Sequence, residues 1–132
     1  MTSPRSIAAV LEEVRHRLDR VDARRAAELA DAGALLVDIR PLELRAWDGT
    51  IPGAVVVGRN VLEWRLDPTS EACLPGIDET IYERLVIVIC DEGYASSLAA
   101  ADLHRLGIRR ATDLIGGFQA WRQAGLPVTP PD

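Results

Sequence analysis

Cysteine is scarce in this chain, which holds only Cys73 and Cys90. Two are too few for a disulfide framework or a cysteine-rich zinc site. The two histidines, His16 and His104, show no ligand spacing to either cysteine; both read as helix-surface residues, and no metal is expected. Aromatic residues make up 5% of the sequence, so the core has to rest on Val, Ile, Leu and Ala. Positive charge is the minority sign, and the net charge of −5 argues against sequence-independent contact with nucleic acid or an anionic membrane surface. No apolar run approaches the roughly 20 residues of a membrane span. The first stretch, MTSPRSIAAVLEEVRHRLDR, carries charges throughout and has no signal-peptide core. These absences together predict a cytoplasmic protein.

What remains is an ordinary globular mixture, 48% hydrophobic and 27% charged over 132 residues, enough for one core. Its most informative stretch is Leu85 to Ser97, LVIVIC followed by DEGYASS. A β-branched apolar run ends on Cys90, which predicts a buried strand with a thiol at its carboxyl end. Asp91, Glu92 and Gly93 form a turn, and Ser96, Ser97 and an alanine-leucine run look like a helix start. In parallel α/β domains ligands bind at strand carboxyl ends. A thiol there faces unpaired N–H groups and the positive end of the helix dipole, both of which favour the nucleophilic thiolate. The plainer alternative is a small buried hydrophobe.

The remaining pattern alternates helix and strand. Ser3-Pro4 opens an amphipathic helix carrying Ile7, Val10, Leu11, Val14 and Leu18 to about Arg20. Asp22 caps a second helix that closes at Gly33. Strands are predicted at Leu35–Arg40, Ala54–Val57, Leu85–Cys90 and Ala111–Leu114. Short helices fall after Pro41, over RNVLEWRLD with Val61, Leu62 and Trp64 turned inward, over Ser97–Leu106, and over FQAWRQAG. Such alternation favours a parallel sheet covered on both faces.

Four motifs in order resemble the rhodanese (sulfurtransferase) family: LLVDIR, GTIPGAVVV, VIVICDEGYASSLAAADLHRLG and LIGGFQAWRQAGLPV. The resemblance implies an α/β fold of about five mostly parallel strands flanked by helices. It divides the chain into an N-terminal helical extension, residues 1–21, and a rhodanese-like domain, residues 22–132. It implies a sulfurtransferase without cofactor or metal. Cys90 would take sulfane sulfur from a small-molecule donor as a persulfide and yield it to a thiol or other thiophilic acceptor. The alternative is a catalytically weak rhodanese-like module that binds a partner protein. The active-site loop would be Asp91, Glu92, Gly93, Tyr94, Ala95 and Ser96, with Gly93 letting the backbone curl around the sulfur.

Departures from the family pattern shape further expectations. Thr50 replaces the histidine of the G-H-I-P-G-A motif, and Ala95 stands where small members often carry a loop arginine. Asp91 and Glu92 beside the thiol would disfavour the thiolate and a dianionic donor, so a donor other than thiosulfate is expected; the alternative is that both point to solvent, where screening makes them nearly silent. Arg59, or else Arg65, is the candidate for supplying the missing positive charge. Asp38 and Arg40 are read as a supporting ion pair, Tyr94 as a pocket wall or loop cover, and Trp47, Trp64 and Trp121 as core or rim packing. Cys73 is a candidate resolving thiol, with an incidental thiol the plainer reading. Phosphatase-like and arsenate-reductase chemistry fits poorly, since Ser96 stands where those loops need arginine. The N-terminal helix is a possible contact for a protein partner.

Overall fold

A computed structural model describes residues 3–132. The helices are α1 (Ile7–Arg15), α2 (Ala23–Asp31), α3 (Leu42–Asp48), α4 (Leu62–Leu66), α5 (Ala95–His104) and α6 (Gly117–Gln123). The strands are β1 (Leu35–Asp38), β2 (Val55–Val56), β3 (Val86–Ile89) and β4 (Ala111–Asp113), and 3₁₀ turns occupy Arg59–Val61 and Glu79–Tyr82. The pairings among these strands are all parallel, in the order β2-β1-β3-β4, and one isolated antiparallel bridge joins Thr50 to Thr129. A further neighbour at the β4 edge is reduced to one residue, Val21, bridged in parallel to Leu114.

Every residue of β1, β3 and β4 is buried, as expected for a sheet covered on both faces. Side chains alternate between two cores. Leu35, Val37, Ile39, Val86, Val88 and Cys90 join Leu62, Leu66 and Leu103 on one face. Leu36, Ile87 and Ile89 join Ala26, Phe118 and Trp121 on the other. Cys90 therefore continues the β3 alternation toward the α5 side.

Some local expectations are corrected. The α1 cap is Ser6, not Ser3, because the Ser6 hydroxyl accepts the free N–H of Ala9 (3.0 Å). The helix ends at Arg15; beyond it the chain turns, buries Leu18 and carries Arg20 to β4. In α4 it is Leu62 and Leu66 that are buried, while Val61 and Trp64 are exposed, since only positions four apart share the inner face of so short a helix. Trp47 is exposed too, whereas Trp121 is buried and donates its ring N–H to the Pro127 carbonyl (2.8 Å). His104 does not simply face solvent: its Nε2 lies 2.7 Å from the Ala111 carbonyl, tying the end of α5 to β4. Among the described residues no helix is long and apolar enough to cross a membrane.

Candidate active site

From β1 the sheet continues to β2 on one side, and from β3 to β4 on the other. The chain segments leaving the carboxyl ends of β1 and β3 diverge there, which opens the crevice where parallel sheets bind ligands. A cavity of about 280 Å³ occupies it, walled by Ile39 and Arg40 after β1 and by Cys90 to Glu92 after β3. Cys90 is 7% exposed and is one of the residues that wall this cavity.

Backbone N–H groups converge on that sulfur. Gly93 N–H donates to Cys90 Sγ at 3.1 Å and Ser96 N–H at 3.4 Å. The thiol donates to Ser96 Oγ (3.2 Å), and the Ser96 hydroxyl donates to Asp113 Oδ2 (2.7 Å). Neither Ser96 nor Ser97 caps α5, which starts at Ala95; both hydroxyls go to Asp113 instead. Gly93 has φ +90°, and a Cβ there would lie 2.7 Å from Gly116 N, so the position requires glycine twice over. The Gly116-Gly117 turn closes on the same loop. Phe118 N–H donates to the Cys90 carbonyl (2.8 Å) and Gln119 N–H to the Asp91 carbonyl (3.1 Å). The free N–H groups of α6 thus hold the outer side of the cysteine loop.

Asp38 and Arg40 form the expected ion pair, fully buried, with Arg40 Nη2 donating to Asp38 Oδ2 (2.8 Å) and to the Gly49 carbonyl (2.8 Å). The guanidinium carbon sits 3.7 Å from the Phe118 ring centroid, so the pair supports the loop through α6. Among the described residues Arg40 Nη1 has no hydrogen-bond partner. Arg59 does line the cavity, yet its guanidinium already meets two carboxylates, Glu63 and Asp102. Arg65 is not in the cavity wall; it donates to the Ala72 carbonyl (2.8 Å). Asp91 accepts from Gln119 Nε2 (2.9 Å), and Glu92, Tyr94 and Ala95 stand exposed at the cavity rim. Cys73 is half-buried, its thiol directed at the Leu74 and Ile77 carbonyls (3.6 and 3.7 Å), and it does not line the cavity.

Three residues that the sequence did not flag complete the surroundings. Asp113 is fully buried on β4 and accepts from Ser96, Ser97 and both arms of Arg20. Arg15 and Arg20 both donate to the Gly93 carbonyl, at 2.7 and 3.0 Å. The only available signal was an acid inside the apolar strand Ala111–Leu114, since a buried carboxylate has to have a partner.

Similarity to known proteins agrees with this architecture. The rhodanese-like domain matches residues 21–124, and the chain belongs to that family. A sulfurtransferase from Allochromatium vinosum is 32% identical over 111 residues, 83% of this chain and 90% of that protein. The thiosulfate sulfurtransferase GlpE of Actinobacillus pleuropneumoniae is 40% identical over 60 residues, so the match spans 56% of that relative's length and 46% of this chain. Among solved structures, a protein of unknown function from Rhodopseudomonas palustris, described as a possible tyrosine phosphatase, superposes with TM-score 0.84 at 32% identity and covers 98% of both chains. A thiosulfate sulfurtransferase from Pseudomonas aeruginosa gives TM-score 0.68 at 25% identity over 86% of this chain and 20% of that one.

Proposed function

We propose that this protein is a sulfurtransferase that works through a persulfide on Cys90. The thiol proton passes to solvent water at the cavity, and the Cys90 thiolate attacks the outer sulfur of a sulfane donor. The donor's bond to that sulfur breaks, its electron pair leaves with the remaining fragment, and Cys90 carries the persulfide. A thiolate or other thiophilic acceptor then attacks the terminal sulfur, breaking the sulfur–sulfur bond and restoring the thiolate. No electron carrier is needed, because the sulfur moves between nucleophiles. The supporting observation is the pair of N–H groups of Gly93 and Ser96 aimed at Sγ inside a small cavity. Such preorganised donors stabilise an anionic sulfur without reorganisation. As the thiol proton leaves, the Ser96 hydroxyl turns its own proton from Asp113 to the sulfur, while Ser97 and Arg20 keep Asp113 paired.

The donor we favour carries little negative charge beside its reactive sulfur, such as a low-molecular-weight persulfide or 3-mercaptopyruvate. Both arginines in the cavity wall, Arg40 and Arg59, are matched by carboxylates, and Asp91 and Glu92 add more. That balance is unfavourable for thiosulfate. It also weighs against phosphatase chemistry, which needs an arginine fork on the loop to hold a phosphate. Here that position is Ser96, buried and bonded to Asp113. Incubation with each donor followed by mass spectrometry tests the reading. One added sulfur atom on Cys90 is expected, and its absence with every donor contradicts the proposal.

A further inference from the structure

The cysteine loop contains two carboxylates and no cationic side chain between Cys90 and Ser96. Positive charge nevertheless reaches it from behind. Arg15, the last residue of α1, donates through Nη2 to the Gly93 carbonyl (2.7 Å) and through Nε to Ser97 Oγ (3.0 Å). Its guanidinium carbon lies 5.7 Å from the Tyr94 ring centroid. One side chain therefore touches three residues, Gly93, Tyr94 and Ser97, of the segment that wraps the sulfur.

Arg20 meets the same carbonyl, but its charge is matched by Asp113 at 2.8 Å. Arg15 differs: among the described residues it has no carboxylate partner. No carboxylate therefore contacts it directly at the Gly93 carbonyl, in the residue whose own N–H donates to Cys90 Sγ, while Glu12 and His16 line the same groove as Arg15 and Tyr94. A trans peptide places its C=O and N–H on opposite sides. With the Gly93 carbonyl held on two guanidiniums, the following N–H, that of Tyr94, points away from them. The same hold keeps a carbonyl oxygen from turning toward an anionic sulfur.

We propose that Arg15 is a positioning residue for Cys90, supplying from α1 the positive charge that the cysteine loop itself lacks and holding the Gly93 carbonyl turned away from the sulfur, in the residue whose own N–H donates to Sγ. The proposal rests on the reading of Cys90 as the nucleophile. It gives α1 a role although the helix precedes the family match at residues 21–124. The other charged groups around Cys90 are Asp91 and Glu92 on the loop, the Arg40–Asp38 pair after β1, Arg59 with Glu63 and Asp102, and the Arg20–Asp113 pair reached through Ser96. None of these groups is itself replaced when Arg15 alone is changed.

The test follows iodoacetamide alkylation of Cys90 across pH, in the full chain with Cys73→Ser so that one thiol remains. Arg15→Gln is expected to shift the alkylation profile to higher pH and slow the reaction at neutral pH by about tenfold, the effect of losing one nearby opposite charge. Arg15→Lys keeps charge without the planar fork and recovers part of the rate. Leu11→Ala controls for loosened packing: Leu11 is buried on α1, so this variant lowers the melting temperature but leaves the profile where it was. An unchanged profile in Arg15→Gln, or an equal shift in Leu11→Ala, overturns the proposal. Alkylation needs no sulfur donor. A wild-type protein that never forms a persulfide, with Arg15→Gln still slowing alkylation, would fail the sulfurtransferase reading while leaving this one standing.

Discussion

Cys90 differs from the other cysteine in its burial and in the groups that surround its sulfur. It ends β3, meets two N–H groups and opens to a cavity, whereas Cys73 faces two carbonyls away from it. Cys90→Ser is expected to abolish sulfur transfer and leave the fold intact, because the exchange is nearly isosteric. Cys73→Ser should retain activity under reducing conditions; an equal loss there would give Cys73 the role of resolving thiol. Steady-state assays of both variants beside circular dichroism decide this. The residue scale also shows what a sequence conceals. Cys90, the loop and the Asp38–Arg40 pair were legible because each sits in a contiguous motif. Asp113, Arg15 and Arg20 were not, because their partners lie up to 93 positions away in sequence. The charge expected from Arg59 is present at the cavity but already balanced by Glu63, four residues on, and by Asp102, 43 positions away, which no local pattern tied to it.

Elements show a similar division. The apolar runs of β1 and β3 and the cap of α2 at Asp22 could be read directly, since burial on both faces and a capping oxygen each leave a local signature. Where α1 stopped could not, because the chain leaves it through tight turns, Arg17 N–H to the Val14 carbonyl and Leu18 N–H to the Arg15 carbonyl, with no glycine or proline to mark the place. The α6 turn gives an element-scale prediction. Gly117 has φ +61°, and a Cβ there would sit 2.5 Å from the Cys90 carbonyl oxygen. Gly117→Ala is therefore expected to cost at least about 2 kcal/mol and to displace the cysteine loop. Urea unfolding with an activity assay checks it; a variant with unchanged midpoint and turnover would show that the turn does not support the loop.

The whole molecule is acidic, with net charge −5, and its cavity continues that sign through Asp91 and Glu92. Neutralising both loop acids as Asn and Gln is expected to raise kcat/KM for thiosulfate by about tenfold while changing a less charged donor little. Added salt should narrow the difference between donors. Thiosulfate as the best donor of the wild-type protein, with no response to the double change, would show that these carboxylates do not act on the donor. Beneath donor choice lies one claim, that Cys90 carries the sulfur. The measurement that tests it most directly is intact-protein mass spectrometry after donor exposure, with peptide mapping of the added mass. The account predicts one added sulfur on Cys90, removed by an acceptor thiol and absent from Cys90→Ser. Sulfur carried elsewhere, or persisting in Cys90→Ser, would contradict it.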